Sequence, residues 1–129
     1  MGDETENLDI HLEVLGAVSF ALREARRRGL SRERIVDAMN ERLPDANITP
    51  RKLSAWSAES KDDHPFPARY LPAFCAATDC DLPLRVLART LGLEVIDDRG
   101  LAAMRVGEMQ AEAARLERGA KEILKKLGE

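Results

Sequence analysis

The chain has 129 residues, of which 44% are apolar, 33% charged and 4% aromatic. A chain of this size and composition predicts one globular domain with an appendage, and it leaves little room for two domains. The net charge of −3 excludes a polycation of the histone class, so any surface for nucleic acid has to be local.

No run of apolar residues approaches the roughly 18 that a membrane-spanning helix needs. The N-terminus is acidic at Asp3, Glu4 and Glu6, where a secretory signal peptide is basic. Cys75 and Cys80 match neither the disulfide framework of a secreted protein nor a paired C-x-x-C metal site. We therefore predict a cytoplasmic protein without membrane association, metal or other cofactor, in which residues 1–7 are a disordered acidic N-terminus.

Helix-favouring residues dominate between the glycines and prolines, and runs of β-branched residues are almost absent, which predicts an all-α fold. The first helix is predicted from about residue 8 to residue 28, with Gly29 as a left-handed C-terminal cap. A second helix of about thirteen residues is predicted to begin at Ser31, a good N-cap. The expected buried positions of these two helices are Leu8, Leu12, Leu15, Val18 and Leu22, then Ile35, Val36, Met39 and Leu43.

Three further helices complete the predicted domain, which spans residues 8–98. Thr49 caps the third helix, with Pro50 at its first position, where the missing amide of proline costs nothing. A polar loop over residues 59–65 separates it from a fourth helix, which is marked by Phe66, Tyr70, Leu71, Phe74 and Cys75 and has Pro72 near its first turn. The fifth helix runs from a cap at residue 81 to residue 92, and residues 93–96 are a candidate extended segment.

Residues 99–129 are predicted to form a long C-terminal helix, because residues 101–127 contain no proline and their apolar positions follow a heptad pattern. The apolar seam consists of Ala102, Val106, Met109, Ala113, Leu116, Ala120, Ile123 and Leu127. From Val106 onward these residues are the predicted dimerisation surface, for a parallel or an antiparallel pair. The seam could instead pack on its own domain or bind a partner protein.

Basic residues concentrate where the first helix meets the second: Arg23, Arg26, Arg27, Arg28, Arg32 and Arg34. Arg51 and Lys52 stand at the start of the third helix. The run of residues 26–28 has three interpretations. It is a solvated helix end that complements the helix dipole, or part of a surface that faces DNA, and a contact with a partner protein is a third possibility.

Three segments carry a resemblance to a known family: residues 31–36, the stretch Ile48-Thr49-Pro50-Arg51-Lys52-Leu53-Ser54-Ala55-Trp56, and residues 66–91. They resemble the lambda-repressor/Cro-like helix-turn-helix superfamily, in the divergent form of small regulators of temperate phages and prophages. The resemblance implies a compact five-helix helix-turn-helix module. The span from Val36 to Leu53 is about seven residues longer than the family's short turn.

The resemblance also implies which residues would contact double-stranded DNA. In this family the second motif helix enters the major groove, so Arg51, Ser54 and Ala55 would contact base edges. The residues expected at phosphates are Ser31, Arg32, Arg34, Thr49, Lys52 and Lys61, which would supply salt-dependent affinity.

These observations predict a small, sequence-selective DNA-binding transcriptional regulator, phage- or prophage-related, that acts as a homodimer. The alternative is a protein-interaction adaptor that does not bind DNA and uses residues 101–129 to hold its partner. A basic face free of acidic groups would favour the regulator, and scattered charges would favour the adaptor. The two histidines, His11 and His64, belong to no catalytic motif, so the chain is expected not to be an enzyme.

Overall fold

The computed structural model describes residues 5–58 and 65–128, and these residues form six α-helices. They are α1 (His11–Arg27), α2 (Arg32–Glu41), α3 (Pro50–Ser57), α4 (Leu71–Thr78), α5 (Leu82–Thr90) and α6 (Asp98–Leu127). A single 3-10 turn, Ala68–Tyr70, precedes α4, and no strand occurs in the described residues. The all-α prediction and the long C-terminal helix are confirmed. Within the same residues no helix combines the length and the apolar character required to cross a membrane.

The chain divides into two compact units, Met1–Glu94 and Val95–Glu129. The first unit contains α1 to α5. Within it, α1 packs against α4 and α5, and α2 packs against α3 and α4. The second unit contains α6, which begins where the Asp97 carboxylate accepts a hydrogen bond from the Gly100 backbone N–H at 2.7 Å.

Local sequence signals set the starts of three helices in the first unit. The Ser31 hydroxyl accepts from the Arg34 backbone N–H at 3.2 Å, and the Thr49 hydroxyl accepts from the Lys52 backbone N–H at the same distance. Pro50 begins α3 and Pro72 lies in the first turn of α4, where a missing amide breaks no helical hydrogen bond. The predicted caps at Ser31 and Thr49 and the proline positions are therefore confirmed. Asp81 does precede α5, but its carboxylate accepts from the Arg85 guanidinium at 2.8 Å and caps no backbone N–H.

The core of the first unit lies between α1, α2 and α4. Val18 of α1, Met39 of α2, Leu53 of α3 and Phe74 of α4 are fully buried in one hydrophobic cluster. Ala21 and Ala25, on the buried face of α1, let the neighbouring helices approach closely.

Aromatic side chains extend this core between α3 and α4. The ring centroids of Trp56 and Phe66 are 5.4 Å apart, and those of Phe66 and Phe74 are 5.1 Å apart. Trp56 also lies 5.7 Å from the ring of Tyr70. These separations are typical of favourable aromatic pairs, so the half-buried tryptophan attaches α3 to the segment that leads into α4.

Some predicted boundaries and one predicted face were wrong. The helix α1 begins at His11, and Leu8 and Leu12 are 48% and 68% exposed, because its buried stripe starts only at Leu15. The second helix ends at Glu41 and the fourth begins at Leu71, so both are shorter than predicted. Residues 93–97 form no regular structure, since an extended segment needs a partner strand and the described residues contain none.

Two glycines of the first unit provide a matched stability test. Gly16 lies inside α1 with nothing within 4 Å of an added methyl group, so we expect Gly16→Ala to raise the free energy of unfolding by about 0.5–1 kcal/mol. Gly29 has equal space but a φ of +88°, so we expect Gly29→Ala to lower it by about 1 kcal/mol or more. Urea unfolding followed by circular dichroism measures both. If both substitutions changed the free energy of unfolding equally and in the same direction, the backbone φ angle would not be what distinguishes the two positions.

Candidate nucleic-acid interface

The long connection between α2 and α3, residues 42–49, is closed by one side chain. The Asn40 amide N–H donates to the Ile48 carbonyl at 2.9 Å, and the Ile48 backbone N–H donates to the Asn40 amide oxygen at 2.9 Å. The Ile48 side chain is buried in the same core as Met39 and Leu53. This pair of hydrogen bonds fixes where α3 begins despite the extra length of the connection.

A groove with a volume of about 560 Å³ lies between the second half of α1, the start of α2 and the end of α3. Arg23, Arg26 and Arg32 line it, together with one acidic residue, Glu33. Arg23 and Arg26 are exposed, and neither side chain has a hydrogen bond or ion pair to another described residue. The groove therefore carries an excess of positive charge, three arginines against the single carboxylate of Glu33, and no ion pair of Arg23 or Arg26 is formed within the described residues.

Arg32 joins this groove to α3. Its guanidinium donates to the Ser54 hydroxyl at 3.0 Å and to the Ser57 hydroxyl at 3.4 Å. The Ser57 hydroxyl donates in turn to a backbone carbonyl one turn earlier, at 3.0 Å. The arginine is thus held against the outer face of α3, although its side chain remains exposed to solvent.

Arg51 continues the positive surface along α3. It is three residues before Ser54, so the two side chains share one face of the helix. Arg51 is exposed, and its side chain makes no hydrogen bond or ion pair within the described residues. We call Arg23, Arg26, Arg32 and Arg51 the basic strip, since helical spacing, one hydrogen bond and a shared groove link them across three helices.

The structure separates the arginines of the run at the end of α1. Arg27 pairs with Glu24 at 3.2 Å, one turn earlier in the same helix. Arg28 donates to the Thr78 carbonyl and lies 3.6 Å from the Asp79 carboxylate, at the C-terminal end of α4. Arg27 and Arg28 therefore have partners close to the end of the helix, as the helix-end interpretation predicts. Only Arg26 of the run faces the groove.

Two of the other predicted phosphate contacts have side chains already engaged in capping. The hydroxyls of Ser31 and Thr49 accept from backbone N–H groups, and the Lys52 ammonium donates to the Asn47 carbonyl at 3.1 Å. Arg34 is exposed, and its side chain has no partner within the described residues. Lys61 lies outside the described residues.

Ala55, a predicted base contact, is partly buried, while Arg51 and Ser54 are exposed. The structure therefore brings two of the three predicted base contacts onto one open face of α3 and turns the third toward the protein. Arg23 was named among the concentrated basic residues but was assigned no contact, and Asn40 was not singled out at all. The spacing of Ser19, Arg23 and Arg26 along α1 was an available signal, because it places all three on one side of that helix.

Cys75 and Cys80 are both free thiols, and Cys75 is buried. Burial raises the pKa of the Cys75 thiol to about 11, so it is protonated at neutral pH and a poor nucleophile. Among the described residues, no three histidine, cysteine, aspartate or glutamate side chains are grouped to hold a metal ion.

Comparison with protein-family models, with curated proteins and with solved structures found no match to this chain. The features of the molecule that bear on function are the basic strip and the exposed face of α6.

Proposed function

We propose that this chain is a small, sequence-selective DNA-binding transcriptional regulator, a cytoplasmic non-enzyme that acts as a dimer. We further propose that α1 to α5 form a helix-turn-helix module related to the lambda-repressor/Cro-like regulators of temperate phages and prophages. The single observation that carries the proposal is the basic strip, which extends from α1 to the exposed face of α3. Arginines concentrated on one face, in excess over the acidic groups there, are the electrostatic footprint of a nucleic-acid surface.

In this proposal α3 lies in the major groove with its first turn toward the bases. Arg51 is the main base contact, since its guanidinium matches the two acceptors on the edge of guanine. The Ser54 hydroxyl accepts from Arg32 and keeps its own proton free to donate to a base. Because Ala55 is partly buried, it contributes at most a methyl contact.

The groove arginines contact the DNA backbone. Arg23, Arg26 and Arg32 stand beside the first turn of α2, where the backbone N–H groups also favour an anion. Phosphates held there would fix the register of α3 in the groove without reading sequence. Arg34, Lys52 and Lys61 would extend these contacts on either side.

The second unit supplies dimerisation. Every described side chain of α6 from residue 101 onward is exposed, including the large apolar ones of the seam. One copy of the first unit makes few phosphate contacts, and joining two copies raises affinity through effective concentration. The same exposed face is what an adaptor would use, so the DNA experiment decides between the two functions.

We expect the protein to bind random duplex DNA with an affinity that falls steeply between 50 and 200 mM salt, because counter-ion release drives contacts to phosphate. Arg51→Ala/Lys52→Ala should weaken binding about ten-fold or more at 50 mM salt and flatten the salt dependence, since one base contact and one phosphate contact are lost. Fluorescence anisotropy with labelled duplex measures both effects.

The matched control is Arg69→Ala/Arg89→Ala, which removes two positive charges from the first unit outside the basic strip. This control should bind almost as well as the wild type. An equal loss in both variants would show that net charge, and not α3, governs the affinity. No binding at 50 mM salt would overturn the regulator and make the adaptor the leading function.

A further inference from the structure

The helix α6 presents a continuous apolar face that nothing in the described residues covers. Met109, Leu116, Ile123 and Leu127 of the seam are 71%, 64%, 63% and 77% exposed. The helix has 30 residues and is therefore about 45 Å long. Seam residues follow one another at alternating intervals of four and three, which is the spacing that buries a stripe against a second helix.

We propose that the occupant of this face is α6 of a second copy of the chain, running antiparallel, with Ala113 opposite the partner's Leu116. This inference rests on the dimerisation part of the proposed function and is independent of DNA binding. It specifies an orientation and a register, both of which follow from the order of large and small residues along the seam.

Side-chain size is complementary in this register. Ala113 meets the partner's Leu116, Met109 meets the partner's Ala120, and Ala102 meets the partner's Leu127. Val106 and the partner's Ile123 form the remaining layer, and two-fold symmetry repeats all four. Each alanine thus faces a large side chain, so the two helices can keep an even separation with a filled interface.

In a parallel in-register pair the side-chain sizes are not complementary, because every seam residue then meets its own copy. Layers of two alanines at residues 102, 113 and 120 would alternate with layers of two large side chains at residues 109, 116 and 123. The large layers would hold the helices apart and leave voids at the alanine layers, and such voids are destabilising.

Charge along α6 favours the same orientation. Residues 98–113 carry three acidic and two basic side chains, while residues 114–127 carry two acidic and five basic ones. An antiparallel pair places the slightly acidic half of one copy beside the strongly basic half of the other. A parallel pair would place the two basic halves together, and it would also set Glu112 beside the partner's Glu117.

The flanks of the antiparallel interface are compatible with this pairing. Leu124, which is 67% exposed, lies beside the partner's Ala103, so another large side chain is opposite a small one. Gly119 lies beside the partner's Glu112, which leaves room for the carboxylate. The like-charged pair, Arg105 and the partner's Lys126, lies toward the ends of the overlap, where both long side chains reach water.

Cysteine cross-linking of the full chain tests orientation and register together. In the proposed register Val106 lies opposite the partner's Ile123, and the two copies of Val106 are 17 residues apart along the pair, about 25 Å. Mild oxidation of Val106→Cys alone, or of Ile123→Cys alone, should therefore give no disulfide dimer beyond the wild-type background from Cys75 and Cys80. Co-refolded chains, one with each substitution, should give a disulfide-linked heterodimer that reduction reverses.

Three results would overturn the proposal. Disulfide dimers of the Val106→Cys chain alone would show a parallel pair, with dimerisation itself retained. A dimer by light scattering that forms neither product would show a different register or a different interface. A monomer at micromolar concentrations would remove the second copy as occupant and, with it, the dimerisation part of the proposed function. The DNA-binding part of the proposed function would be tested separately, by the salt dependence of the wild-type protein's affinity for duplex DNA.

Discussion

Phe74→Ala is expected to lower the free energy of unfolding by about 3–5 kcal/mol, the usual cost of deleting a large core aromatic side chain. Phe74 has no exposed surface, and its ring packs edge-on against Phe66 at 5.1 Å. It lies on α4, which packs against both α1 and α2, so the cavity left by the substitution would open where three helices meet. Urea unfolding followed by circular dichroism measures this loss.

Phe20→Ala is the matched control, because it removes the same side chain from a position on α1 that is 40% exposed. We expect a cost of less than about 1 kcal/mol there, since much of that ring is already in contact with water. Similar costs at both positions would contradict the assignment of Phe74 to the centre of the core. A loss for Phe74→Ala below about 1 kcal/mol would contradict it as well.

Much of the fold was predictable because its signals are local. Ser31 and Thr49 each precede a run with helical spacing, and each caps the helix that follows. Pro72 could be placed correctly because proline is tolerated only in the first turn of a helix. The heptad pattern after residue 101 indicated the long helix α6 for the same reason.

The sequence-based predictions were wrong or incomplete where contacts between residues distant in sequence determine the structure. Leu8 and Leu12 continue the apolar spacing of α1, but no neighbouring helix covers them, and the spacing itself carries no information about neighbours. Asn40 holds Ile48 across the connection between α2 and α3, a pairing that depends on the three-dimensional path of the loop. Neither feature can be derived from helical periodicity alone.

The candidate site was predictable in part. Arg32, Arg51 and Ser54 were predicted from the sequence, and the structure places Ser54 in contact with Arg32. Their predicted roles were separate, one toward phosphate and one toward a base, whereas the hydrogen bond makes them a single unit. The division of the arginine run depended on Asp79 and the Thr78 carbonyl, which are remote in sequence. Long-range partners of this kind determine which arginines remain free.

If the chain is the DNA-binding dimer proposed above, the double variant Leu116→Glu/Ile123→Glu should be a monomer and should bind DNA about 10²–10⁴-fold more weakly. Both substitutions place a carboxylate in the seam, where pairing would bury it without a counter-ion, so association would become strongly unfavourable. With dimerisation lost, the second module no longer benefits from effective concentration, which accounts for the predicted loss of affinity. Light scattering measures the mass, and fluorescence anisotropy measures the affinity.

The control for this variant is Met104→Glu/Ala111→Glu, which adds the same two negative charges to α6 outside the seam. If the seam is the dimer interface, the control remains a dimer and loses little DNA affinity, while both variants retain the unfolding behaviour of the first unit. A dimer that survives Leu116→Glu/Ile123→Glu would show that the seam is not the interface. A monomer that binds DNA as tightly as the wild type would show that one copy of the basic strip is sufficient for the full affinity. A monomer has no second, linked module, so effective concentration could not contribute to that affinity.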